Sequence, residues 1–135
     1  MIYFLDTNIC IFHLNQKSQN ILDKFNEIGN GNIKIPSVVS AELYYGAEKS
    51  AKRAYNLQRY NEFISWFRVA PFYSRASRIY GEIRAELERK GKMIGWNDLL
   101  IAATVMASGG VLVTNNTDEF SRIDKLILED WTKEK

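Results

Sequence analysis

The sequence predicts a single α/β domain spanning residues 1–135, a three-layer α/β/α arrangement around a central, mostly parallel sheet. Three observations predict it. Three short apolar runs, residues 1–5, 111–113 and 126–128, read as strands, and Ile33 to Ile35, with Lys34 between them, is a plausible further one. The stretches between them carry apolar residues at helical spacing. Strands that alternate with helices pair in parallel, because parallel pairing needs a crossover, and the crossovers then cover both faces of the sheet.

Each element has its own local justification. Residues 1–5 stop abruptly at Asp6, Thr7 and Asn8, which reads as a strand followed by helix-capping chemistry and puts Asp6 at the strand's carboxyl end. Ile21, Leu22, Phe25 and Ile28 mark a helix that Gly29, Asn30 and Gly31 terminate. After the strand 33–35 and Pro36, Ser37 is expected to cap a helix carrying Val38, Val39, Glu42 and Leu43, with Glu42 near its beginning. Leu57, Tyr60, Phe63, Ile64 and Phe67 form one further apolar stripe, and Ile79, Tyr80, Ile83 and Leu87 another. Residues 69–72 between them read as a short strand. Asn97 is expected to cap a helix over 98–107 that is apolar around most of its circumference and therefore central. Gly109 and Gly110 end it before the core strand Val111–Val113, and 126–128 form the last strand.

Composition narrows the chemistry. With 135 residues, 46% of them hydrophobic, the chain can bury a real core. Residues 99–107 are far short of the roughly 20 apolar residues of a membrane span, and no secretory leader is legible ahead of Asp6, so the expected location is cytoplasmic. One cysteine, Cys10, rules out an internal disulfide and a thiolate metal cage, and reads as a buried inert thiol. His13 is also alone and reads as a helix-surface or partly buried histidine, since a histidine base needs a positioned partner. There is no HExxH, P-loop or GxGxxG pattern, which argues against zinc hydrolysis, ATP hydrolysis and hydride transfer. The net charge of +2 is unevenly spread: −1 over 1–46, +6 over 47–92 and −3 over 93–135. The middle stretch is either a phosphate-facing surface or the solvated face of charged helices.

Three acids stand in apolar surroundings: Asp6 behind Ile-Tyr-Phe-Leu, Glu42 among Val-Val-Ser-Ala and Leu, and Asp98 ahead of Leu-Leu-Ile-Ala-Ala. An ionised carboxylate there is costly unless hydrogen-bonded or paired with positive charge. Taken singly, Asp6 and Asp98 read equally well as helix caps or first-turn acids. Taken together, all three fall where a strand ends or a helix begins, which in a parallel sheet is the edge that carries ligand sites. The segment Thr114-Asn115-Asn116-Thr117-Asp118-Glu119 reaches the same edge after its strand. Carboxylates crowded into one pocket repel, and a hard divalent cation such as Mg²⁺ or Mn²⁺ is the usual remedy.

Four segments in register then carry a resemblance. Ile2-Tyr3-Phe4-Leu5-Asp6-Thr7-Asn8, Ser37-Val38-Val39-Ser40-Ala41-Glu42-Leu43 with Tyr45-Gly46, Ile94-Gly95 before Asp98-Leu99-Leu100-Ile101-Ala102-Ala103, and Leu112-Val113-Thr114-Asn115-Asn116 through Phe120 to Glu129-Asp130-Trp131 resemble the VapC toxins, a PIN-domain family of bacterial toxin–antitoxin pairs. The resemblance covers essentially the whole chain. It implies a PIN-like fold and an endoribonuclease whose Asp6, Glu42 and Asp98 match the family's metal-binding acids. The family often has aspartate at a fourth position where this sequence has Asn116, with Asp118 and Glu119 close behind. Glu119 is taken as the supplementary acid, Asn116 as a polar contributor, and Thr114 as a hydrogen-bond partner of a carboxylate or water. Thr7 and Asn8 are expected to orient Asp6, as groups behind a metal ligand generally do.

On this reading Asp6 and Asp98 hold one Mg²⁺ or Mn²⁺, and Glu42 positions or deprotonates the attacking water. The resemblance also implies a homodimer and a cognate VapB-like antitoxin that covers the active-site groove and alone contacts operator DNA. Phe12, Leu14, Tyr44, Tyr45, Trp66 and Trp96 are candidates for the hydrophobic surface involved, or for core packing. Competing readings are a housekeeping PIN nuclease of RNA maturation, a non-catalytic PIN-like module that binds RNA or protein, and a nucleotide-binding signalling domain, the last disfavoured by the missing glycine-rich loop.

Overall fold

The computed structural model describes residues 1–16 and 18–133. Strand β1 (Tyr3–Leu5) leads into helices α1 (Thr7–Gln16) and α2 (Gln19–Ile28), then β2 (Ile33–Pro36), α3 (Ser37–Glu48) and α4 (Arg53–Ser65). Next come β3 (Arg68–Ala70), α5 (Ser74–Lys90), α6 (Trp96–Ser108), β4 (Val111–Val113), α7 (Thr117–Phe120) and β5 (Ile127–Glu129). The five strands form one sheet in the order β3-β2-β1-β4-β5, and every pairing is parallel. The mostly parallel sheet expected from the sequence is thus parallel throughout.

The order places β1 at the centre. From β1 the chain steps outward through β2 to β3, then returns to β4 on the other side and continues to β5. The direction of winding therefore reverses between β1 and β4, the place beyond the strands' carboxyl ends where such sheets form a ligand crevice. Asp6 follows β1 and Thr114 follows β4, so both stand at that crevice.

The core explains why the central strands are so apolar. Phe4, Leu5, Ile33, Ile35, Leu112 and Val113 are buried in the sheet, and Leu99, Ile101, Ala102 and Val105 of α6 are buried with them. A second, aromatic part of the core packs Phe25, Phe63 and Phe67 around His13, whose ring lies 5.3 Å from Phe25 and 5.6 Å from Phe63. His13 is buried, more deeply than a helix-surface residue would be, and Cys10 is fully buried. At the end of α6, Gly109 takes φ +66°, a left-handed turn that glycine adopts freely. Gly110 is required for a different reason: a β-carbon there would lie 2.5 Å from the Phe4 ring and 2.7 Å from the Ile2 carbonyl oxygen.

Element boundaries differ from expectation where local signals were weak. Ser37 opens α3 with Pro36 at the cap, and Gly95, not Asn97, caps α6. Strand β3 is Arg68–Ala70 instead of 69–72, because Pro71 has no N–H to offer a ladder. Strand β5 starts at Ile127, one residue later than expected. Helix α7 has only four residues, too few to show any periodicity.

Candidate active site

Asp6 is 3% exposed at the exit of β1. Its Oδ1 accepts the Ile9 N–H at 2.8 Å, so it does cap α1. Its Oδ2 accepts the hydroxyl of Thr114 at 2.5 Å, which ties the ends of β1 and β4 together across 108 positions. Capping and membership of an acidic pocket are therefore two uses of one side chain. Burial pushes its pKa from 3.8 to about 6, with a further contribution from the charge of Glu42, although the Thr114, Ile9 and Asn8 hydrogen bonds oppose the rise.

Glu42 projects from the second turn of α3, and its Oε1 accepts the Thr7 hydroxyl at 2.7 Å. Thr7 thus orients Glu42, where the sequence reading expected it to orient Asp6. Asn8 serves Asp6 through its backbone N–H, and its side chain is exposed. The reason lies in cap geometry. The cap carboxylate satisfies the free N–H groups of the first turn, which leaves the Thr7 hydroxyl available to the neighbouring helix.

Asp98 sits in the first turn of α6, whose start at the sheet's carboxyl edge brings it to the same crevice. Its pKa also rises from 3.8 to about 6, from burial first, then from the charges of Glu119, Asp6 and Glu42, and from a hydrogen bond with Glu119 that requires a shared proton. Asp98 therefore lies within electrostatic reach of acids from three other segments. Glu119 comes from α7, where the Asn116 side-chain amide donates to its Oε2 at 3.2 Å. The Asn116 backbone N–H donates to the Thr114 hydroxyl at 2.9 Å, so Thr114 links Asp6 to the Asn116–Glu119 pair. Asp118 is exposed.

The cluster is open. Among the described residues, no three histidine, cysteine or acidic side chains close around one point as a finished metal cage. The donors nonetheless suit a hard divalent ion, since all are oxygens and neighbouring carboxylates add to the rise that burial causes at Asp6 and Asp98, a repulsion that a cation would relieve. Softer ligands are committed elsewhere, with Cys10 in the core and His13 among aromatic rings. Glu42, Gly95, Trp96, Asn97 and Asp98 line a hollow of about 410 Å³ on this edge. A larger one, about 510 Å³, lies between α2 and the segment after β5. Its polar groups are largely engaged: Lys24 pairs with Glu27, Glu129 accepts from the Trp131 indole and Asp130 from Thr132.

The basic stretch divides. Arg53, Arg78, Arg84, Arg89 and Lys90 pair with Glu48, Glu82, Glu88 and Glu86, the solvated-face arrangement. Lys49, Lys52, Arg68, Arg75 and Lys92 have no carboxylate partner among the described residues, and Arg59 donates instead to the Leu14 carbonyl and Asn56. Of the six surface candidates, Phe12, Leu14 and Tyr44 pack against the core, whereas Tyr45, Trp66 and Trp96 are exposed. Sequence reasoning passed over Arg84, whose guanidinium carbon stands 5.3 Å from the centre of the Trp96 ring. No spacing in the sequence links the two, because they lie on different helices.

Comparison with known proteins bears on the family. The family model for the PIN domain matches residues 3–126. The ribonuclease VapC2 of Rickettsia felis is 45% identical over 134 residues, covering 98% of this chain and all of that protein. The tRNA(fMet)-specific endonuclease VapC of Shigella flexneri is 42% identical over 130 residues, covering 96% of this chain and 98% of its own. The fold superposes on the VapC chain type found in the crystal structure of DNA-bound VapBC from Salmonella typhimurium with a TM-score of 0.93, at 41% identity, covering 97% of this chain and 98% of that one. With the family model spanning nearly the full length and relatives this similar end to end, the chain belongs to the PIN domain family, in its VapC branch.

Proposed function

We propose that this chain is a divalent-metal-dependent endoribonuclease, the toxin of a toxin–antitoxin pair, that hydrolyses RNA phosphodiester bonds with water. The observation that supports the reading is the hydrogen-bond linkage at the sheet's carboxyl edge, Thr114 joining Asp6 to the Asn116–Glu119 pair and Thr7 holding Glu42, which shares a hollow with Asp98. Asp6 and Asp98, with Glu42 and Glu119 beside them, would hold Mg²⁺ or Mn²⁺. Such an ion lowers the pKa of water, orients a phosphate and offsets the charge that develops in hydrolysis.

The chain's own groups have distinct tasks. Thr114 and the Ile9 N–H hold the two oxygens of Asp6 in fixed directions, so its position does not depend on what is bound. Thr7 holds one oxygen of Glu42 and leaves the other to orient the attacking water or accept its proton. Asn116 sets the orientation of Glu119. Lys49, Lys52, Arg68, Arg75 and Lys92 would draw flanking phosphates, an attraction that weakens with salt.

The family context supports partners as well. The solved relatives from Salmonella typhimurium and Rickettsia felis are VapBC complexes bound to DNA. By analogy this chain is held silent by a VapB-like antitoxin, meets DNA only through it, and acts as a homodimer. No helix among the described residues is long and apolar enough to cross a membrane. The Shigella flexneri relative's activity makes initiator tRNA the first RNA to examine. The test is cleavage of total RNA in Mg²⁺ by the wild type, Asp6→Asn and Asp98→Asn. Cutting is expected in the wild type alone and is expected to vanish with EDTA; equal cutting by all three removes the proposal.

A further inference from the structure

Trp96 is 67% exposed, although it opens the helix that carries Asp98 and lines the same hollow as Glu42 and Asp98. Its ring has a cationic neighbour. Arg84 stands against it at 5.3 Å, and Arg84 is itself fixed by the Tyr80 hydroxyl at 2.9 Å and Glu88 at 3.1 Å. Among the described residues no aromatic ring pairs with Trp96. The result is a flat apolar surface, backed by a cation and held at the rim of the acidic cluster.

From this arrangement we infer that Trp96 is a stacking platform for an unpaired RNA base next to the scissile phosphate, with Arg84 as its support. The inference rests on the nuclease reading for the direction in which RNA lies, but the binding it describes is separate from cutting. Every base offers a π-face, so a platform of this kind grips single-stranded RNA with little regard to sequence, and the arginine beneath it strengthens the ring's hold on a base near a phosphate. Holding the ring in advance spares the cost of ordering it when RNA arrives. Glu42 and Asp98 in the same hollow repel any anion until a cation offsets them, so the occupant is assigned by the nuclease reading, which brings a phosphate to that cation and its neighbouring base to the ring; a protein partner is left to the test. Trp96 is a binding residue on this account, and it touches no reacting atom.

The test uses the full chain and a single-stranded 2′-O-methyl RNA decamer, checked by gel to remain intact. Tryptophan emission should be quenched on titration in the wild type and in Trp66→Phe, and the quench should be lost in Trp96→Leu. Affinity should fall about 5- to 100-fold in Trp96→Leu, the usual range for one lost base–aromatic stack, and recover largely in Trp96→Tyr. Arg84→Gln should fall in between. In cleavage assays Trp96→Leu should raise KM by a similar factor and largely keep kcat, with an unchanged melting temperature as the control for folding. Undiminished affinity in Trp96→Leu overturns the inference, and so does a quench that persists in it. A variant that binds RNA normally but no longer captures a VapB-like antitoxin also overturns it, by assigning the ring to a protein partner. If the wild type binds the decamer through Trp96 yet cuts no RNA, the platform stands and the nuclease reading falls.

Discussion

Replacing Asp98 by asparagine should make the metal-free protein more stable, because the residue is held in a place where its charge is unwelcome. Its pKa rises from 3.8 to about 6 in the fold, by burial and by repulsion from Glu119, Asp6 and Glu42. A group whose folded pKa is raised binds more protons folded than unfolded between these two values, so stability declines as pH climbs through that window. The decline is complete above about pH 6. A rise of about two pH units corresponds to a ceiling of about 3 kcal/mol at pH 7.5, at about 1.4 kcal/mol per unit. Partial exposure screens the charge and reduces this to about 1.5 kcal/mol. The favourable position of an acid in a helix's first turn returns about 0.5 kcal/mol. The net gain for Asp98→Asn is therefore about 1 kcal/mol, or about 3–5 °C in melting temperature for a chain of this size. Thermal melts in EDTA at pH 7.5 and 4.5 check it, and the comparison of two proteins cancels every titration that the substitution does not touch. The variant should melt higher at pH 7.5, with the gap shrinking to about a third at pH 4.5, where most of Asp98 is protonated in the wild type. Mg²⁺ should then raise the wild type more than the variant. A variant that melts lower than the wild type in EDTA at pH 7.5, or a gap independent of pH, would refute the reasoning.

Other substitutions test neighbouring parts of the account. Thr7→Val removes the hydroxyl on Glu42 and should reduce kcat about 10-fold, the usual scale for a group behind a metal-site acid, with little change in melting. Thr114→Val strips a partner from both Asp6 Oδ2 and the Asn116 N–H, and should cost about 1–3 kcal/mol in a urea titration. Glu119→Gln should impair metal-supported cutting more than Asn116→Ala in parallel assays; the reverse order would move the fourth ligand to Asn116. Gly110→Ala drives a methyl group into the buried Phe4 ring and the Ile2 carbonyl, and should lower stability by about 1–3 kcal/mol in the same titration.

Much of the site could be read from the chain because its logic is topological. Asp6 follows a pure apolar strand, Glu42 lies in the helix after the next one, and Asp98 opens a helix that must begin at the sheet's carboxyl edge to feed β4. Parallel pairing alone gathers them. What escaped the sequence depended on contacts between distant segments. The Thr7 hydroxyl could have served the acid beside it or one 35 positions away, and only packing of α1 on α3 decides for Glu42. Glu119 is preferred over Asp118 by the orientation of a four-residue helix that has no periodic signal. Edge strands blurred for a related reason. Val69 and Ile127 are 41% and 52% exposed, and β3 and β5 each take in a charged end residue, Arg68 or Glu129, which an apolar pattern excludes.

The account turns on one ion being shared by acids from four segments, and a binding isotherm addresses that directly. Titrating Mn²⁺ against the protein at pH 7.5, with free ion followed by electron paramagnetic resonance, should give saturable uptake by the wild type. Affinity should drop at least about 10-fold in both Asp6→Asn and Asp98→Asn. Equal uptake by all three proteins would contradict it.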